Sequence, residues 1–249
     1  NLAGAKWICQ CMGVDEAEFY EAIATFKGAS KRLEKIAENG KNVAYKYFEN
    51  SDFVKPIQFI AGMDISFSKK KENVALGALV VMKYDTLEIV YSAFEEIQMQ
   101  YPYISGFLAF REVKVFCNLW QDMREKLKRK DPSLGELSEE PQIALLDGNG
   151  VFHHRGFGSA CHFGVSMNVP TVGVAKKVLK MDGIEEEKMK ELSSSIKDVG
   201  DYQLVKGDSG TIHCALLKAS RASKTCVYVS TGHRVNLEDA AEIVTKCSK

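Results

Sequence analysis

The sequence predicts a mixed α/β sheet in which antiparallel hairpins come first and parallel strands follow. Three apolar, strand-like runs between Pro56 and Ile97 are joined by links too short for a crossover, and parallel pairing needs a dozen or more connecting residues. A strand–helix–strand order then runs from Gln142 to Ala175, which implies parallel pairing with a right-handed crossover. A long amphipathic helix separates the two blocks.

Taken in order, the first fifty residues read as charged helices. Asp15 with Glu18 resembles a capping box, Phe19, Ile23 and Phe26 recur at helical spacing, and Leu33 and Ile36 continue the stripe. From Pro56 the texture changes. Ile57–Ile65 is the first strand and carries one carboxylate, Asp64. Val74–Met82 and Leu87–Ile97 follow, separated by turn-rich links at 68–73 and 83–86. A helix is expected over Ser105–Arg129, where Leu108, Glu112, Phe116, Leu119 and Met123 share one face, so Glu112 lies in an apolar stripe and Arg111 turns away. The stretch from Lys126 to Glu140, with Pro132 and Gly135, reads as a polar connection.

Gln142–Leu146 is a short strand ending at Asp147, followed by Gly148-Asn149-Gly150. A helix over Phe157–Met167 leads to a strand at Thr171–Ala175, which ends at Lys176 and Lys177. Residues 180–201, charged and Ser-rich, are expected as an exposed excursion. Thr211–Leu217 and Cys226–Ser230 form a last hairpin, and Asn236 caps a final helix with Leu237, Ala240, Ala241 and Val244 inward. Residues 1–249 are expected as one domain, a helical elaboration at 1–55 on a core at 56–246.

Composition narrows the function classes. With 45% hydrophobic and 27% charged residues, disorder and coiled coil are excluded. Lys and Arg number 33, as do Asp and Glu, which excludes a strongly basic nucleic-acid-coating protein but leaves room for a local basic groove. Seven cysteines, an odd count without a CxxC pair, argue against a disulfide scaffold or zinc ribbon and for buried free thiols in a reducing compartment. No apolar run reaches the roughly 18–20 residues of a membrane span, and no basic, then apolar, leader opens the chain, which starts at Asn1. The expectation is a soluble intracellular protein.

Three carboxylates share a context. Asp64 ends the first strand, Asp147 ends the fourth, and Glu112 lies on the inward face of the helix between them. Taken singly, each is an ordinary salt bridge or turn cap. Together they suggest a metal site, because buried unpaired carboxylates are costly and oxygen-only acidic clusters suit Mg²⁺ or Mn²⁺. The matching chemistry is in-line attack of water on a phosphodiester. All five histidines lie beyond residue 150, without the spacing of a zinc hydrolase. His153 could donate a proton or orient a phosphate, and Lys176 could contact a phosphate or leaving oxygen; taken singly, both are ordinary solvated side chains. Gly148, Gly150 and Gly158 would let backbone approach a ligand closely. Tyr101 to Ser105 could wedge between bases or staple the helix start. Asp208 reads as a turn residue.

Together these segments resemble the endonuclease V family. The matching stretches are Ala61–Ser66, Pro102–Glu112, Leu146–Arg155, Pro170–Lys176 and Ser230–Arg234, in family order. The resemblance implies an RNase H-like fold and a nuclease directed at hypoxanthine or inosine. It assigns Asp64, Glu112 and Asp147 to metal binding, with Mg²⁺ as cofactor and Mn²⁺ able to substitute. His153, Lys176 and His233 match further motif positions in the catalytic set. Pro102, Tyr103, Ile104 and Ser105 match the wedge, and Leu108, Gly148, Gly150 and Gly158 are candidates for a base pocket built from backbone. Family enzymes cut the second phosphodiester 3′ to the base, leaving 3′-hydroxyl and 5′-phosphate ends. Ser105 and the His153-His154-Arg155 run look like the animal branch, which implies inosine in single-stranded RNA as substrate, since a softer wedge suits a strand that need not be pried from a duplex. The expected protein is a cytoplasmic monomer, also nuclear or nucleolar, without membrane contact. The alternatives are a repair nuclease for deoxyinosine in DNA and an inosine-RNA binder with vestigial activity.

Overall fold

Hairpin pairing organises the first half of the sheet. The computed structural model describes residues 51, 56–68, 74–98, 109–221, 223 and 225–248. Strands β1 (Phe59–Phe67), β2 (Val74–Lys83) and β3 (Ile89–Gln98) form the expected antiparallel meander. The third strand starts two residues later than expected because Leu87 adopts a left-handed φ of 61° in the turn, which a strand cannot hold. Helix α1 (Ala109–Arg129) crosses this meander and lays Val115 and Leu119 against Gly77 of β2, where a side chain would collide with the valine. The helix start expected at Ser105, and the helices expected before residue 51, lie outside the described residues.

The polar connection begins only after Arg129, because α1 runs through Lys126, and it holds a short 3₁₀ turn at Pro132–Leu134. Strand β4 (Ile143–Asp147), helix α2 (Ser159–Met167) and strand β5 (Thr171–Ala175) make the expected crossover, with β4 parallel to both β1 and β5. The order β3-β2-β1-β4-β5, antiparallel and then parallel, is the mixed sheet that the sequence predicts, and it matches the RNase H-like fold that the family resemblance implies.

Two expectations are corrected in the region after β5. Residues 180–201 are not an exposed excursion. They contain helix α3 (Glu186–Ser195), and Ile184, Met189 and Ile196 are buried in a separate apolar cluster. The helix spacing of Met189 and Leu192 is obscured by a charged and Ser-rich solvent face. A further strand, β6 (Tyr202–Lys206), pairs with β7 (Ile212–Leu217) ahead of β8 (Val227–His233). Its burial alternates too little to be read as half-buried, since only Val205 points inward. These strands extend the sheet to eight, in the order β3-β2-β1-β4-β5-β8-β7-β6. Asp208 sits in the β6–β7 turn, as expected. Helix α4 (Leu237–Cys247) is capped by Asn236, whose side chain accepts from the Asp239 amide at 2.7 Å.

The two faces of the sheet carry different cores. On one, α1 and α2 bury Phe116, Trp120 and Phe163; the Trp120 and Phe163 rings meet edge-on at 5.4 Å. Trp120 donates its indole N–H to Glu140 at 2.9 Å, and Arg124 bonds both oxygens of that carboxylate, so α1 is pinned to the entry of β4. On the other face α4 packs Ala240, Ala241 and Val244 over Ile60, Ile143 and Val172. The five described cysteines are free, and no described helix is long and apolar enough to cross a membrane.

Candidate active site

Parallel pairing brings the middle of β1 beside the end of β4. Met63 lies opposite Leu146, so Asp64 and Asp147 are the next pair in register and leave the sheet on the same face. Both are solvent-exposed. Strand β4 stops at Asp147, whereas β1, expected to end at Asp64, runs on through the buried Ile65 to Phe67, because its hairpin with β2 continues beyond the last pairing with β4. Asp64 accepts from the Ile65 amide at 2.7 Å, which fixes one of its oxygens. Lys176, just past the end of β5, donates to Asp147 Oδ2 at 2.8 Å. That hydrogen bond, the Asp147 charge and the more distant Asp64 charge together raise the pKa of the lysine, against a smaller opposing effect of burial. A cation is thus favoured at the mouth of these two strands, and the ammonium is the group that occupies it.

Glu112 follows a different path. It lies in the first turn of α1 and is buried in the apolar stripe, as its spacing predicts. The Ser159 hydroxyl donates to its Oε2 at 3.5 Å, and the same hydroxyl lies 3.6 Å from where a Cβ of Gly148 would be. Glu112 therefore approaches the Asp147–Gly148 corner from the α1 side of the sheet, whereas the pleat sends Asp64 and Asp147 toward the other side. Among the described residues no group of three His, Cys, Asp or Glu side chains is placed to hold a metal ion. The three-carboxylate convergence expected from sequence is a two-carboxylate pair here, with the third acid behind it. Two carboxylates still fit a small hard cation, because Mg²⁺ is commonly held by one or two, with waters and substrate phosphates completing its octahedron.

The loop after Asp147 is fixed by backbone contacts. Gly148 donates to the Val174 carbonyl at 3.1 Å, Gly150 to the Ser230 hydroxyl at 2.9 Å, and Val151 to the Thr231 carbonyl at 2.8 Å. The α-carbon of Gly150 faces the Thr231 carbonyl, and that of Gly158 faces the Asn149 carbonyl, so these two glycines serve close backbone packing. Gly148, at φ +147°, has more room. Sequence reasoning missed Asn149. Its Oδ1 is buried and has no hydrogen-bond partner among the described residues, an orphaned acceptor two residues after Asp147 at a cost of about 1–3 kcal/mol. The available signal was an amide side chain held between two glycines directly after a strand-end acid.

His153 is buried in this loop, and its Nδ1 accepts from the Arg155 amide at 3.3 Å. His233 is not brought to the carboxylates. It pairs with Thr171 at the start of β5, whereas Lys176 follows its end, so about five residues, roughly 15 Å, separate them along the strand. Pro102, Tyr103, Ile104, Ser105 and Leu108 lie outside the described residues.

Comparison with known proteins identifies the family. A family model described as Endonuclease V matches residues 41–249. The chain is 42% identical over 194 residues to human Endonuclease V, an alignment covering 78% of this chain and 66% of that protein. It thus spans about two thirds of the length of the human and mouse relatives it matches. The crystal structure of the catalytic domain of human Endonuclease V superposes with a TM-score of 0.74 at 35% identity, over 92% of this chain and 89% of that one. Endonuclease V of Ciona intestinalis, in complex with a 24mer DNA containing an inosine followed by a ribo-adenosine, gives 0.68 at 31% identity, over 86% and 90%. A match across most of the chain, on a sheet whose two central parallel strands each present a carboxylate at one shared mouth, makes this chain a member of the endonuclease V family.

Proposed function

We propose that this chain is a divalent-cation-dependent endonuclease that cuts single-stranded RNA beside inosine. It hydrolyses the second phosphodiester 3′ to the base and leaves 3′-hydroxyl and 5′-phosphate ends. The observation that carries this reading is the Asp64–Asp147 pair at matching register, with the Lys176 ammonium bonded to it. Asp64 and Asp147 would hold the cation, Mg²⁺ or Mn²⁺, with Glu112 as the third acid of the set from behind the Gly148 corner. When bound, the cation supplies Lewis-acid stabilisation of the phosphate and a water of lowered pKa.

The other roles belong to the chain itself. Lys176, released from Asp147, donates to a phosphate oxygen or to the departing 3′ oxygen, where negative charge develops. His153 orients the phosphate or supplies the proton that the leaving oxygen takes up. Gly148 and Asn149 line the approach to Asp147, and the unpaired Oδ1 of Asn149 can accept from an N–H of the bound base. Hypoxanthine differs from adenine by a keto oxygen and a ring N–H, and a site built to pair those groups is left with unsatisfied polar atoms by adenine. The inosine and ribo-adenosine in the strand bound by the Ciona relative support inosine as the base read and a ribonucleotide context. One sheet that runs through the three apolar clusters supports residues 56–248 as a single nuclease unit.

The test is cleavage mapping on single-stranded RNA carrying one inosine, with and without divalent cation, for wild type and Asp147→Asn. Loss of several kcal/mol of charge stabilisation predicts a rate about 10²–10³-fold lower in the variant, with the melting temperature and RNA affinity retained. Cutting of matched deoxyinosine DNA alone would assign the chain to DNA repair instead. Tight binding without turnover in any divalent cation would make it a binder.

A further inference from the structure

A second feature begins at Lys176 and leads away from the carboxylates. Between α3 and the chain that leaves β5 lies a cleft of about 500 Å³. Its rim carries Lys176, Lys177, Lys180 and Lys190 against one carboxylate, Glu186, in a chain whose net charge is zero. Met189, Leu216 and Tyr228 form an apolar floor. The Tyr228 ring is held by Phe152, with centroids 5.8 Å apart.

The lysines are available for a ligand. Lys176, Lys180 and Lys190 have side chains more than half exposed. Lys190 pairs with Glu186 at 2.9 Å and Lys180 with Glu185 at 3.4 Å, exposed contacts of the kind that contribute little and exchange readily. Lys177 makes no salt bridge with any described residue. A row of exposed ammonium groups along a concave path is the chemistry that holds a single-stranded nucleic-acid backbone, where phosphates follow the cations. The cleft volume falls within the range of small-ligand pockets, roughly 300–1,000 Å³. Lys176 belongs both to this rim and to the Asp147 contact, which gives the cleft its direction.

We propose that this cleft seats the single strand flanking the cleavage point, with Lys177, Lys180 and Lys190 on successive phosphates above the apolar floor. The proposal rests on reading the carboxylate mouth as a nuclease centre. It explains how a chain of zero net charge grips a polyanion: the cations are concentrated along one path.

The test is an anisotropy titration with fluorescent single-stranded RNA carrying one inosine, with Ca²⁺ as the divalent ion. One RNA has flanks of about ten nucleotides, and its trimmed counterparts lose one flank or the other. Wild type is compared with the Lys177→Ala/Lys180→Ala/Lys190→Ala triple variant, which leaves Lys176 in place. Loss of three phosphate contacts flattens the log–log salt dependence by about 2 and weakens binding of the long RNA by about a hundredfold near 0.1 M salt. RNA trimmed on the cleft side binds both proteins alike. Lys177→Glu, a single exposed change, moves affinity in the same direction without touching the fold. Equal affinity and salt slope for wild type and variant would overturn the proposal. So would an equal loss on both trimmed RNAs, or on an RNA duplex. Failure of the nuclease reading is seen separately, as wild type that binds the long RNA but never cuts it when Mg²⁺ or Mn²⁺ replaces Ca²⁺.

Discussion

Replacing Gly150 by alanine probes the loop that carries the candidate site. A Cβ at this position would lie 2.6 Å from the Thr231 carbonyl carbon, closer still to its oxygen, and 3.1 Å from the Gly232 nitrogen. These are backbone atoms in the last sheet strand before α4 and cannot turn away, so the 148–151 loop must move. Overpacking of this kind costs about 1–3 kcal/mol. The displacement also endangers the Gly150 amide bond to Ser230 and the Val151 amide bond to Thr231, each contributing about 1 kcal/mol. The sum is about 3–5 kcal/mol, which for a chain of this size lowers the melting temperature by roughly 10 °C. Gly62→Ala is the matched control. A Cβ there meets nothing within 4 Å, in strand β1 only two residues from Asp64. That substitution should leave stability unchanged or raise it by about 0.4–1 kcal/mol through the unfolded chain. Thermal unfolding followed by circular dichroism, with both variants at one protein concentration, decides the matter. If Gly150→Ala and Gly62→Ala melt within a degree of each other, the close backbone approach behind Asp147 is wrong.

Three further perturbations address other parts of the fold. Trp120→Phe removes the indole N–H that reaches Glu140 and part of a fully buried ring; urea unfolding should show a loss of about 2–3 kcal/mol with an unchanged slope, and no loss would mean that α1 is not pinned there. The Asp182 carboxyl, bonded first by His213 and then by Ser209, has its pKa pulled from 3.8 to about 2. Because the folded value lies below the unfolded one, its contribution is full above about pH 4 and disappears as pH falls through about 2. The gap in urea midpoint between wild type and His213→Ala should therefore narrow on going from pH 5 to pH 2, and a gap that widens on acidification would contradict the pairing. Burial pushes the Cys161 thiol up to about 12 and raises Cys214 further, so iodoacetamide should label neither in the native protein and both in denaturant. Rapid native labelling of either would contradict its placement.

Much of the fold was legible because periodicity and link length are local quantities. The meander, the β4–α2–β5 crossover and the Asn236 cap each follow from patterns within a few residues. Helix α3 and strand β6 were hidden for a physical reason. Their buried sides are narrow, Met189 with its neighbours and Val205 alone, and charged or Ser-rich faces dominate the local composition. Within the site, the side chain of Glu112 is buried in the α1 stripe as its spacing requires, but spacing could not say from which side of the sheet it would approach Asp147. Asn149 went unnoticed because an orphaned acceptor is defined by what surrounds it, and surroundings are tertiary.

The sequence by itself determined most of the strand and helix positions and placed Asp147 at the end of its strand, since a carboxylate that terminates an apolar run must leave the core where the run stops. It also determined the family, through several motifs in one order. Only the tertiary structure decided that Asp64 and Asp147 share a mouth while Glu112 stands behind it and His233 lies at the far end of β5. Those relations depend on register and pleat, and a shift of one residue in pairing would send either aspartate to the opposite face. The lysine cleft is likewise a product of folding, because Lys177 and Lys190 come from different elements and become neighbours only when α3 packs against the end of β5.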